Sequence, residues 1–412
     1  MYMHKSELVC CRTMQFSKRA QKVLMGAFLL SWMIPGYINT KYGVFEWQKI
    51  YSCIGFMMLI PFLKIKKKYL YLYSSIILWA TISLFWGQKY SIDLYYCIGE
   101  ILRFLCLFLM LIYLSNIIKN EKDVYLFLKI LLILALIRET FRDVLWLERF
   151  ISVKSWYWTR KHTLFSVYGI VILFSFTCSN EIGYLKSITL SIPFIISLII
   201  FLERTAWIGL FLGISFISLL VAINNRVKVY KVVKIIVAII FISIFCIGFI
   251  NKNFPSFSEA IYNRFMTLAN LNSIASGDIS RVGQYAIAWE IIKDRPLIGV
   301  GIGNFINCAP MYLNKVQYPS QLIHTNVEPH NFYLLMASEL GIVGLIWAIY
   351  ISFSSSFIVL RHAYKKQYKN LSVLLSSAGL CGASLSFFMF YHKEWFIIAN
   401  VILVIADALG KE

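Results

Sequence analysis

Apolar residues in this chain come in long runs separated by short polar breaks, and the runs recur from about position 23 to the last few residues. Most runs approach the ~20 residues that an α-helix needs to cross ~30 Å of hydrocarbon. They predict about twelve spans, at roughly 23–38, 44–63, 70–86, 97–117, 124–137, 163–179, 184–202, 205–223, 235–250, 331–357, 371–390 and 396–409. Two breaks are long, 138–162 and 251–329. The expected fold class is all-α: a polytopic integral membrane protein of about twelve transmembrane helices with a large, partly helical external loop. Its parts are 1–250 with about nine spans, the loop 251–329, and 330–412 with about three spans.

Composition agrees. Residues AVILMFWYC make up 59% of 412 positions and DEKR 15%, against about 45–50% apolar and about 25% charged in soluble domains. Orientation follows from the basic residues. Clusters at Lys64/Lys66/Lys67/Lys68, Arg226/Lys228/Lys231/Lys234 and Arg361/Lys365/Lys366/Lys369 fall on one side if both termini are cytoplasmic. The short outer loops then hold only Lys41, Lys49, Lys89, Arg204 and Lys393, and both long loops become external. The basic N-terminus leads into VLMGAFLLSWMIPGYI without a small-residue cleavage pattern, so a retained first span is expected. Nine cysteines show no CxxC or Cys/His spacing, which predicts inert thiols and no metal or cofactor.

Loop 138–162 carries Arg138, Arg142, Arg149, Lys154, Arg160 and Lys161 among Trp146, Trp156, Tyr157 and Trp158. Two readings stand. Trp and Arg favour the headgroup region, so the loop can be an interfacial anchor. Equally, Arg138, Arg142, Arg160 and Lys161 can line a basic, aromatic vestibule that contacts an anionic, sugar-bearing lipid.

Loop 251–329 is too long for a plain connector. In SRVGQYAIAWEIIKDRP, Val282, Tyr285, Ala286, Trp289 and Ile292 follow helical spacing. Ser280 suits an N-cap, and Pro296 stops the helix after Asp294. Gly299, Gly301 and Gly303 lack the strand–turn–helix frame of a nucleotide site, so close backbone packing or a tight turn is the better account.

Three positions converge on the outer side: Arg204 in ERTAW, Arg281 at the start of the loop helix, and His330 at the start of the next span. Helix N-termini attract anions, and guanidinium groups match phosphate oxygens in bidentate geometry. Two arginines therefore suit a diphosphate clamp. The same positive surroundings disfavour imidazolium at His330, and a neutral histidine can act as a general base. The bland readings are an interfacial anchor for Arg204, a solvated Arg281 and a capping or surface His330. His324 and Asn331 are further possible substrate contacts, and His162 and His392 weaker ones.

The segment from Arg281 to Gly344 resembles the bacterial O-antigen ligase and polymerase superfamily. It carries Arg281, Trp289, Pro296, Gly299-Val300-Gly301, and then His330-Asn331, nine residues, Gly341, two residues and Gly344. Arg204 is similar to the family's SRGAW-type arginine, with Glu203 and Thr205 in place of smaller residues. The resemblance implies a GT-C-like, metal-independent, inverting glycosyltransferase of the bacterial inner membrane. Its donor is a glycan on undecaprenyl diphosphate, and its acceptor lipid A–core or another repeat unit. His330 would activate the acceptor hydroxyl, with Arg204 and Arg281 on the diphosphate, facing the periplasm. No nucleic-acid partner is expected. A transporter is the competing class; it would show ionisable residues near the midplane or paired broken helices. Glu100 and Arg103, spaced i,i+3, read instead as a structural ion pair.

Overall fold

The computed structural model describes residues 18–33, 37–40, 43–46, 64–90, 94–153, 163–201, 203–224, 276–318, 323–325, 327–390 and 396–410, with scattered single positions in 53–57 and 233–262. Helix α1 covers Lys18–Met33. Strands β1 (Tyr37–Thr40) and β2 (Gly43–Glu46) then pair antiparallel, Tyr37 opposite Glu46 and Thr40 opposite Gly43. This hairpin corrects both the end of the first expected span and the start of the second. Tyr37, Ile38, Thr40, Val44 and Phe45 are β-branched or aromatic and suit a pleated ribbon. The remainder of 44–63 lies almost wholly outside the described residues, as does most of 235–250.

Helices α2 (Lys67–Gly87), α3 (Leu94–Ile117), α4 (Glu121–Val153), α5 (Leu164–Cys178), α6 (Tyr184–Ile200) and α7 (Arg204–Asn224) follow. The loop contributes α8 (Ser276–Asp294) and a short α9 (Phe305–Cys308) that runs into a 3-10 turn, Ala309–Lys315. Helices α10 (Phe332–Tyr364), α11 (Leu371–Phe390) and α12 (Phe396–Ala408) close the chain. Among the described residues, α2, α3, α7, α10 and α11 are long and apolar enough to cross a membrane, with shorter apolar segments in α1, α5, α6 and α12.

Helix α4 runs through the first half of the stretch expected as loop 138–162. RETFRDVLWLERFISV contains no Gly or Pro, and Glu139 meets Arg142 one turn on, so the polar composition belongs to a helix. Glu100 and Arg103 do form the expected i,i+3 pair at 2.7 Å. Lys129 lies 4.1 Å from the centroid of the Tyr125 ring.

One continuous apolar core joins α1 through α7 to α10, α11 and α12, and a smaller one sits under the loop. Polar ties fix the register. Trp79 Nε1 donates to the Leu340 carbonyl and Trp347 Nε1 to that of Leu72, both at 2.9 Å, so α2 and α10 run antiparallel. At one end of the bundle, Asp407 takes Lys66, Lys68 and Tyr69, and Glu121 caps the start of α11 by accepting from the backbone of Lys369 and Asn370. The basic clusters 64–68 and 361–369 thus share that end. At the other end lie the C-termini of α2 and α11 and the starts of α7 and α10.

Candidate functional site

The site begins with a fault in α10. At Gly341 the backbone leaves the helix, with φ 65° and ψ −154°. The loop segment after α8 fills the gap. Val300 and Gly301 donate to the carbonyls of Ser338 and Glu339 at 2.9 and 2.8 Å, and Ile342 N donates to the Pro296 carbonyl at 2.9 Å. Backbone groups freed by the interruption are thereby satisfied inside the protein, as a membrane setting demands. The approach is close. A Cβ at Gly341 would stand 2.3 Å from the Leu297 carbonyl oxygen, and one at Gly299 (φ 65°) 2.4 Å from that of Glu339. The close-packing account of Gly299-Val300-Gly301 is what the structure shows. Buried Glu339 adds a side-chain tie, accepting from Phe305 N at 3.2 Å.

His330 lies immediately ahead of this helix. Asn331 is the N-cap: its Oδ1 accepts from Leu334 N at 3.0 Å, the bond expected of a capping asparagine. The nine residues that follow make two and a half turns before the fault, so the motif's spacing measures the helical stub between His330 and the inserted loop.

Helix α8 begins at Ser276, a turn earlier than the expected cap at Ser280. Ser280 instead lies inside the helix, and its Oγ accepts from His324 N at 3.0 Å. Gln284 Nε2 donates to the His324 carbonyl, and the Tyr285 hydroxyl to the His330 carbonyl, both at 2.8 Å. One helix face thus clamps the chain that leads into α10. Arg281, half-buried, occupies the same turn, so the structure brings its helix directly onto the His330 corner. The buried stripe is Gln284, Ile287, Ala288 and Ile291, not the one expected; Trp289 is 54% exposed. Both stripes have helical spacing, and the sequence ranks the bulkier one first. Beneath α8, burial pushes the Cys308 thiol up to about 12, consistent with an unreactive cysteine.

Arg204 opens α7 and is half-buried. Helix α7 packs tightly and antiparallel on α11: Gly209 faces Ser386, and Gly213 faces Gly379 and Ala383. Phe388 of α11 in turn meets Phe332, two residues past His330, with ring centroids 6.1 Å apart. Arg204 and His330 therefore lie at the same end of the bundle, on helix starts linked through the end of α11. Beside Arg204, Glu203 caps α5 by accepting from Thr163 N at 2.7 Å and Oγ1 at 2.6 Å.

Arg138 and Arg142 converge on Glu139, which is fully buried and also accepts from Ser166 Oγ at 2.7 Å. Their guanidinium groups lie 4.8 Å from the Phe165 ring and 4.0 Å from the Phe201 ring. These arginines hold α4 to α5 and α6; the Arg-Glu-x-x-Arg spacing speaks only for the pairing within α4. His324 is exposed at its side chain. Arg160, Lys161, His162 and His392 lie outside the described residues. Tyr285, read in the sequence as part of an apolar stripe, and Glu203, noted there only as a departure from the family pattern, act through His330 and Thr163, partners far along the chain that local spacing does not reveal. Among the described residues no cluster of three or more His, Cys, Asp or Glu could hold a metal ion.

Residues 187–349 match the family described as O-Antigen ligase. The matched stretch contains Arg204, Arg281, His330, Gly341 and Gly344. No curated protein matches the chain.

Proposed function

We propose that the protein is a glycosyltransferase of the bacterial inner membrane that moves a glycan from undecaprenyl diphosphate to an acceptor hydroxyl on the outer face, with lipid A–core as acceptor. The observation that carries this reading is the junction of α8 with the start of α10: the helix bearing Arg281 is bonded to the His330 corner within the matched stretch. A helix start, a histidine and an arginine in one neighbourhood supply what the reaction needs.

In the proposed step the acceptor oxygen attacks the anomeric carbon as the bond to the diphosphate oxygen breaks. His330 takes the hydroxyl proton. Arg204 and Arg281 hold the leaving diphosphate, whose growing charge their permanently charged donors stabilise. Attack opposite the leaving group inverts the anomeric configuration. No step requires a metal ion.

The test uses purified enzyme with defined lipid-linked donor and either lipid A–core or a second repeat unit as acceptor. His330→Ala, present at normal membrane levels, is expected to lose about 10²–10⁴-fold in transfer rate, the usual contribution of a general base. Undiminished transfer removes the base. Product formed only on the repeat unit assigns a polymerase instead.

A further inference from the structure

We propose that Tyr285 is a positioning residue that sets His330 against Arg281, an inference that rests on the base reading of His330. The Tyr285 hydroxyl donates to the His330 carbonyl at 2.8 Å, across 45 residues of sequence. It is a main-chain bond, so it fixes where the residue sits without occupying the imidazole. Tyr285 lies one helical turn beyond Arg281 on α8, so the two side chains project from neighbouring turns. The bond therefore ties the backbone of His330 to the turn of α8 that follows Arg281.

Two further bonds show that this placement is held from more than one side. Ser280 and Gln284 grip the backbone N–H and carbonyl of His324, six residues ahead of His330. On the far side, Asn331 locks the first turn of α10. His330 is thus caught between a helix cap that belongs to the membrane bundle and a clamp that belongs to the loop. Of these ties, Tyr285 alone reaches His330 itself. Loss of its hydroxyl frees the corner to move relative to α8, and small misplacements of reacting groups reduce rate far more than binding.

The experiment is a double-mutant cycle on the full-length protein. Tyr285→Phe is expected to lower kcat about 10-fold while KM stays within about two-fold, because orientation is lost rather than substrate binding. In the His330→Ala background the same change should have no further effect on the residual rate, since no base remains to be placed. Tyr312→Phe removes a hydroxyl at the opposite end of α8, where it serves Asp294, and should leave kcat within about two-fold of wild type. A Tyr285→Phe enzyme of wild-type kcat overturns the proposal. So does an equal loss in both backgrounds, or an equal loss from Tyr312→Phe, each of which signals general loosening of the loop. Full activity of His330→Ala alone defeats the underlying reading of the histidine and is read separately.

Discussion

Two arginines and a histidine carry the proposed chemistry, and each demands a particular side chain rather than a charge. Guanidinium offers a planar fork of donors, ammonium a single point charge. Arg204→Lys and Arg281→Lys should each lower transfer about 10–100-fold, the equivalent of one hydrogen bond to a charged group. Wild-type rates in either variant would return that residue to a membrane-anchoring role. Arg138 and Arg142 answer differently, because Glu139 already engages both. Glu139→Ala removes the buried carboxylate that both arginines share and should destabilise the fold by about 3–5 kcal/mol, seen as a lowered melting temperature in detergent. Glu290→Ala, which breaks an exposed pair with Lys293, should stay within about 1 kcal/mol of wild type.

Among elements, the interrupted α10 is the one whose form follows most directly from residue type. Gly341 adopts φ 65° with Leu297 pressed against it, a conformation and a space closed to any side chain. Gly341→Ala should reduce folded protein in the membrane sharply, since this glycine-only backbone conformation alone costs about 1–3 kcal/mol before the clash. Gly26→Ala in α1 meets nothing within 4 Å and should be neutral or mildly stabilising, by up to about 1 kcal/mol. The need for close packing at Gly299-Val300-Gly301 was legible in the sequence. Its partner was not, because that surface lies forty residues on and exists only once α10 is broken. Among the described residues, the positions of α2, α3, α5, α6, α7, α10, α11 and α12 were legible because length and hydropathy decide them. The β-hairpin was not, since four-residue strands inside an apolar run carry too little pattern to separate from a helix. Helix α4 was cut short by reading charge as loop, although its i,i+3 pair had already announced another turn. In α8 the apolar period was correct and its phase was not: Trp289 competes with Ile287 and Ile291, and the neighbours Phe305, Ala309, Ile323 and Leu335 choose between them.

At the scale of the whole molecule, the basic clusters and the proposed site occupy opposite ends of the bundle, which makes sidedness measurable. Met311, 62% exposed on the 3-10 turn of the loop, and Tyr364, 82% exposed at the end of α10, are the reporters. A membrane-impermeant maleimide applied to intact cells should label Met311→Cys and spare Tyr364→Cys until the membrane is opened. The reverse pattern would turn the protein over and remove the outer-face reaction. The described native cysteines interfere little, as most are buried.

The splice between loop and α10 also sets where this protein can be recombined. A donor loop exchanged at the membrane boundary, from 251 to 329, would bring its own glycine rung but leave behind the notch at Gly341 that receives it. The receiving surface extends beyond α10: Ile302 N donates to Ser83 Oγ at 3.0 Å and Asn304 Nδ2 to the Gly87 carbonyl at 3.2 Å, so α2 holds the same segment. Engineering new specificity by swapping loops alone should yield misfolded chimeras, because a donor loop must meet the recipient's Gly341 and Gly87 together.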